Sequence, residues 1–364
     1  MRAAQPCVLE VKGEQQGQPE ENLVSNVQRQ TRITNPAVLD PGEIRALVDR
    51  GDHVVVQFSQ PGYDAALLSS LDALCRQCGD QVEVRFYGFG GETFDCAVLA
   101  SLPQVRSLTL DCRSVVNLDV LQQLDHLLRL HVGIVDIEEP DLLSWPSLHG
   151  LTHLGLGETR RPHFDLRPLA QFRQLRRLFV VGHANNIDAI GSLSALTDLT
   201  LRIPHTVSVA FVNELAALRS LRFILGGRAN LDELRESPIE ELEIIRVKGF
   251  ERLDRLERFP RLRRLVIEDQ LRLTQLSIDH ELPALEELRI LGCKKFARLD
   301  SLGKLSGLKH LRLYGTAVDF DTLIAQPLPA PLDIVGFYTG RSRADEALRL
   351  RLQQMGYREG LSPR

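Results

Sequence analysis

The sequence predicts an α/β fold of stacked repeats, each a short β-strand joined to the next by a helical or 3-10 return segment. Three observations predict it. A six-residue pattern, L-x-x-L-x-L, recurs through nearly two thirds of the chain at almost constant spacing. Each copy follows a second apolar set in steps of three, such as Leu118, Leu121 and Leu124, or Leu299, Leu302 and Leu305, which suits a helical or 3-10 return path. Hydrophobic residues make up 43% of the chain and charged residues 25%, so most of it is expected to fold.

The first elements precede the repeats. Residues 1–36 are polar and rich in Gln, Glu and Asn, and read as a mobile tail with one short strand at "VLEVKG", residues 8–13. A helix is predicted behind Asp40, with Pro41 just inside its start and Gly51 closing it. The run "HVVVQF" from His53 reads as a strand. Residues 63–79 form an amphipathic pattern that ends at Gly79, the position where a helix commonly turns left-handed. Val82, Val84 and Phe86 alternate with polar residues and predict another strand. Residues 37–95 are therefore expected to form a β-α-β segment that caps the repeats.

The repeats themselves start at Val105, Leu127, Leu151, Leu175, Leu196, Leu218, Ile239, Leu262, Leu285, Leu308 and, less clearly, Pro329, in steps of 21–24 residues. An extra pattern at Leu273, Leu276 and Ile278 leaves the register there open. A single rung is too small to bury its own apolar face. Stacked rungs build one continuous core, and stability becomes a series of neighbour interfaces.

These eleven blocks resemble the leucine-rich repeat family, whose repeats run 20–29 residues. The resemblance implies a solenoid, a right-handed superhelix of parallel strands in the form of a horseshoe or arc, with the repeats spanning residues 96–340. It also implies asparagine or cysteine at the ninth position of each block. Cys293 and Thr316 suit that role, whereas Arg113, Val135, Pro204, Gly226, Val247 and Gln270 do not. Residues 341–364 are expected to form a capping helix and tail, with Leu348, Leu352 and Met355 on one helical face over residues 344–355.

In such a rung the third, fifth and seventh positions point away from the core, onto the concave sheet. The third runs Ser107, Arg129, His153, Arg177, Asp198, Ser220, Glu241, Arg264, Glu287, His310. The fifth runs Thr109, His131, Gly155, Phe179, Thr200, Arg222, Glu243, Val266, Arg289, Arg312. With rungs about 4.8 Å apart, Glu241, Arg264 and Glu287 are expected to alternate in sign. Arg and aromatic residues dominate interface energetics. The candidate partner-binding residues are thus Arg129, His131, His153, Arg177, Phe179, Arg222, Arg264, Arg289, Arg312 and Tyr314. The plain alternative is a solvated face whose charges pair with one another, each pair contributing about 0–1 kcal/mol.

Other chemistry finds little support. Net charge is -4, without the basic excess of a general nucleic-acid binder. The Arg-rich run from Glu251 to Arg264 is interleaved with Glu251, Asp254 and Glu257 and reads as a solvated convex face. No apolar run approaches the length of a membrane span, and the start lacks an apolar signal core, so a cytoplasmic protein is expected. Cys75-x-x-Cys78 has no second ligand pair for zinc and no thioredoxin-like context. His131, His153 and His149 read as ordinary histidines rather than metal ligands. "YGFGGE" at residues 87–92 lacks the Lys-Ser/Thr of a phosphate-binding loop. No cofactor is expected and a small-molecule ligand is disfavoured. The expected function is non-enzymatic binding of another protein on the concave sheet and adjacent loops. The alternative is an enzyme with its site in residues 75–96 and the repeats as substrate clamp.

Overall fold

A computed structural model describes residues 29–88, 91–160 and 163–360. The chain divides into two compact units, Met1–Leu175 and Arg176–Arg364. That boundary falls inside what the repeat spacing presents as one uninterrupted series.

In the first unit the strands are β1 (Gln30–Thr34), β2 (His53–Phe58), β3 (Val82–Gly88), β4 (Phe94–Asp95), β5 (Ser107–Cys112), β6 (Val115–Val116), β7 (Arg129–Val132) and β8 (His153–Leu156). The main sheet is parallel in the order β1-β2-β3-β5-β7-β8, and β4 pairs with β6 as a small separate ribbon. Helix α1 (Pro41–Asp49) begins where Asp40 accepts hydrogen bonds from the Gly42 and Glu43 amides at 2.8 and 3.1 Å, a standard capture of unpaired first-turn donors. Helix α2 (Ala65–Cys78) buries Leu67, Leu68, Leu71, Leu74 and Cys75 and stops at Gly79, φ 64°. The strand–helix–strand expected before the repeats is therefore present. Its sheet continues directly into the rungs, with Val84 of β3 beside Leu108 of β5.

Part of the stretch expected to be a mobile tail, residues 1–36, is a strand, and residues 1–28 lie outside the described residues. Gln30–Thr34 forms β1, whose residues pair one for one with His53–Gln57 of β2. Its exposed–buried alternation, with only Thr31 and Ile33 inward, gave a weak apolar signal. The predicted strand at residues 8–13 lies outside the described residues.

The second unit contains β9 (Arg177–Val181), β10 (Asp198–Arg202), β11 (Ser220–Ile224), β12 (Glu241–Ile245), β13 (Arg264–Glu268), β14 (Gln275–Leu276), β15 (Glu287–Leu291), β16 (Arg298–Leu299), β17 (His310–Tyr314), β18 (Ile334–Tyr338) and β19 (Arg358–Glu359). The main sheet is again parallel, in the order β9-β10-β11-β12-β13-β15-β17-β18-β19. The fourth-position residues Leu178, Leu199, Leu221, Leu242, Leu265, Leu288, Leu311 and Val335 stand opposite one another in unbroken register. The first, fourth and sixth positions face inward: Leu262, Leu265 and Ile267 are each at most 1% exposed. Return segments at Leu118–Gln123 and Leu302–Lys304 are 3-10 turns, because apolar residues in steps of three line one side of a three-residue turn. Both units contain leucine-rich-repeat rungs, which in the first follow the strand–helix–strand segment.

Three expectations need correction here. The last rung starts at Leu332, not Pro329, since Leu311 pairs with Val335. Short helix α3 (Phe320–Ile324) lengthens that repeat to 24 residues, and Pro329 takes the place Leu305 holds one rung earlier. The extra pattern at Leu273–Leu276–Ile278 is not a rung. It lies in a return segment, where β14 pairs with β16. Finally, α4 (Ser342–Gln354) buries Leu352 but leaves Met355 44% exposed. It is followed by β19, which adds one more parallel strand beside β18.

The turn after the seventh position is left-handed in several rungs: φ is 60° at Leu225, 53° at Arg246, 53° at Asp269, 65° at Gly292 and 58° at Gly315. Glycine adopts this conformation freely, whereas an L side chain costs about 1–2 kcal/mol. The ninth position also differs from expectation. Gln270 is fully buried and its Nε2 donates to the Ile244 and Glu268 carbonyls at 3.0 and 2.7 Å. It performs the turn-sealing role denied to it on residue type, because its longer side chain reaches the same backbone acceptors. Cys293 sits at the equivalent place, with its sulfur 3.4 Å from the Leu291 carbonyl oxygen.

Candidate functional site

Strand geometry sends alternate side chains to opposite faces, so each unit presents a sheet face opposite its leucine core. In the second unit this face carries a connected chain of charges. Arg222 reaches Glu243 at 3.2 Å and Glu241 at 3.7 Å. Arg264 bridges Glu243 at 2.5 Å and Glu287 at 3.0 Å. Arg289 pairs with the same Glu287. The expected alternation holds for Arg264 and Glu287, while Glu241 turns instead to Arg222. Arg264 and Arg289 keep only 16% and 18% of their side chains exposed, against 62% for Arg177 beside Asp198. Arg264 thus acts first as the knot of this network.

Arg312 is the exception. It stands beside Arg289 in register, is half-buried, and has no ion pair or hydrogen bond among the described residues. Burial lowers its guanidinium pKa, and the adjacent Arg289 charge lowers it further. Next to it, burial also lowers the His310 imidazole below its ordinary value, against the pull of Glu287 and Asp333. Among the described residues no carboxylate pairs with Arg312 to complete the series at this end.

Beside the charges runs a row that the sequence reading did not follow. The seventh positions of β11, β12, β15 and β17 are Ile224, Ile245, Leu291 and Tyr314, all partly exposed on the sheet face. Register places Ile224 against Ile245 and Leu291 against Tyr314, with Glu268 between the two pairs. Glu268 reaches Arg246 at 3.7 Å. Leu225, at the left-handed corner after Ile224, is 39% exposed. The signal was available: each of these residues follows the buried sixth-position residue directly. Phe179 and Thr200 are paired on β9 and β10. Of the predicted residues, the structure brings Arg289 and Arg312 together with Tyr314, while Arg222 and Arg264 meet through Glu243.

The first unit's face is built differently. His53 Nε2 lies 3.0 Å from Glu83, Arg85 binds Asp111 at 2.5 Å, and His131 Nε2 lies 3.6 Å from the same Asp111. Arg129 crosses to Asp80 at 2.8 Å. His153 Nδ1 is 2.9 Å from the Thr152 hydroxyl. Glycines at Gly133 and Gly155 make room for the charged side chains to lie flat. A Cβ on Gly155 would stand 2.1 Å from His131 Nδ1, and one on Gly133 would stand 2.2 Å from Asp111 Oδ1. Burial favours the protonated Asp111 carboxyl, yet hydrogen bonds from His131 and Arg85 and their charges hold it below the usual range. His149 is absent from this face and packs edge-on against Phe172, with ring centroids 5.2 Å apart. Among the described residues no group of three His, Cys, Asp or Glu side chains is arranged to hold a metal.

Burial pushes the Cys75 thiol up to about 12, and Cys78 is raised for the same first reason. Such thiols are held protonated and are poor nucleophiles. Phe89 and Gly90 of the glycine-rich turn lie outside the described residues. No helix of the described residues is long and apolar enough to cross a membrane.

No protein-family model matches the chain, and the search of curated proteins found no match. Solved structures are similar at low identity. An internalin of Listeria monocytogenes is 15% identical over 85% of this chain and 87% of its own, with a TM-score of 0.48. A leucine-rich-repeat protein of Leptospira interrogans is 13% identical over 90% and 93%, with a TM-score of 0.45. The Toll–Spätzle complex of Drosophila is 12% identical over 84% and 53%, with a TM-score of 0.44. The fold assignment rests on the rungs themselves rather than on these likenesses.

Proposed function

We propose that the protein is a non-enzymatic interaction module that binds another protein on its sheet face and the adjacent loops. The observation that carries this reading is the row of Ile224, Ile245, Leu291 and Tyr314, apolar side chains on the solvent side of a sheet whose core is already complete on the other. Apolar rows rimmed by charge mark surfaces that exclude water against a partner. Leu225 adds to the reading, because an exposed leucine in a left-handed corner costs stability that glycine would spare. The protonated thiols of Cys75 and Cys78 offer little to the alternative of an enzyme in residues 75–96. The five described cysteines are all free, which supports a reducing compartment such as the cytoplasm.

The test compares proteins captured from the source organism by the wild-type chain and by an Ile224→Ser/Ile245→Ser variant. A partner retained by the first and lost by the second, at an unchanged melting temperature, is the expected result. Equal retention by both removes the apolar row from the binding surface.

A further inference from the structure

Resting on the sheet-face reading above, we infer that Arg289, Arg312, Leu291 and Tyr314 form a subsite for a partner segment carrying a carboxylate side chain next to an apolar one. The charge inventory of this face leads there. On β11 to β17 the third and fifth positions hold four guanidiniums, Arg222, Arg264, Arg289 and Arg312, against three carboxylates, Glu241, Glu243 and Glu287. The first three arginines use all three carboxylates. Arg312 closes the row with its charge uncompensated, beside a second guanidinium, in a half-buried position. A half-buried cation lacking a partner is unfavourable, and one further carboxylate at this point would satisfy it through charge-assisted hydrogen bonds.

The balance also selects the charge of the guest. The excess is one positive charge, and Glu287 already lies against Arg289. A single carboxylate neutralises the site, whereas a dianionic phosphate would meet Glu287 as a like charge.

The apolar half follows from strand spacing. Leu291 and Tyr314 are two residues along from Arg289 and Arg312 on the same strands and the same face, a separation of roughly 7 Å. An extended peptide repeats its side chains on one face at that distance. The guest is therefore an extended acidic-x-apolar segment, in either chain direction, with the acid on the paired arginines and the apolar group between Leu291 and Tyr314.

The experiment pans a phage-displayed random peptide library on the full-length wild-type chain and on Arg312→Glu, with Arg312→Gln as the milder variant should the reversal not fold. Peptides retained by the wild type are expected to be enriched in Asp or Glu two residues from an apolar residue. The same peptides should bind either variant about tenfold more weakly, the loss of one charged contact, and Arg312→Glu should instead select Lys or Arg. Retained peptides without acidic preference, or acidic preference undiminished in both variants, overturn the carboxylate subsite and leave the sheet-face reading standing. Retention of no peptide by the wild type overturns the subsite, while the sheet-face reading stands or falls by the capture experiment above. Wild-type self-association abolished by Arg312→Glu, measured by sedimentation, assigns the surface to a second copy and overturns the proposal.

Discussion

The two units use the same rung and present different surfaces. At the seventh position the first unit carries Asp111, Gly133 and Gly157, while the second carries Val181, Arg202, Ile224, Ile245, Glu268, Leu291 and Tyr314, mostly apolar. In the first, glycines let Asp111 and His131 fold down onto the sheet, and that charge network closes on itself. In the second, the third- and fifth-position charges pair with one another, and a mostly apolar row, interrupted by Glu268, runs beside them. The difference shows that the leucine pattern determines the scaffold and is silent about the face. Positions three, five and seven vary without disturbing positions one, four and six.

The largest expected effect concerns what the units share. Truncating Leu265→Ala in the second unit, or Leu130→Ala in the first, removes a side chain at most 2% exposed. Each should cost about 2–5 kcal/mol in denaturant unfolding; a cost well below 1 kcal/mol in one unit alone would break the claim of a common core. Next, Gly157→Ala belongs to the first unit's design. Its Cβ would stand 2.8 Å from the Gly133 Cα and 3.1 Å from the Val132 carbonyl oxygen, backbone atoms that cannot swing aside. About 1–3 kcal/mol of overpacking is expected, measurable by urea titration, and no loss at all would mean the strands separate freely there.

Acid should separate the faces further. In the first unit, burial raises the Glu83 pKa, but hydrogen bonds from His53 and Thr109 and the nearby charges of His53 and Arg85 bring it, on balance, below the ordinary glutamate value. A carboxylate whose folded pKa lies below its unfolded one stabilises fully above the unfolded value and loses that contribution as pH falls through the folded one. The stability gap between wild type and Glu83→Gln is therefore expected to narrow as pH drops through and below the ordinary glutamate range; melting curves in which the gap widens on acidification would reverse the sign. The smallest thermal effect should come from Ile224→Ser/Ile245→Ser. Both side chains are partly exposed, so the melting temperature should hardly move while partner capture falls.

Much of the fold was legible because ten of the eleven blocks repeat a pattern whose spacing admits few alternatives. The eleventh slipped by three residues, from Leu332 to Pro329, since α3 and the proline-rich approach to β18 supply apolar residues at the wrong spacing. Gln270 was misjudged because sealing a turn depends on where an amide reaches, and reach follows from tertiary geometry. The candidate surface was legible as a set of arginines. Which arginine takes which carboxylate was not: Arg264 spans from Glu243 to Glu287 across two neighbouring strands, a choice made by side-chain torsions. The apolar seventh row could have been read directly, since each member is adjacent in sequence to a buried sixth-position residue.

The unbroken register of the second unit has a consequence for how such a surface can change over time. Because each strand aligns residue for residue with the next, the exposed side chains sit at the nodes of a ruled lattice. Duplicating one whole repeat adds a column to that lattice and leaves every other column in phase. A one-residue insertion within a strand turns its outward residues inward. Genetic drift can therefore lengthen or rewrite the recognition grid in whole-repeat steps, and is barred from shifting it by fractions.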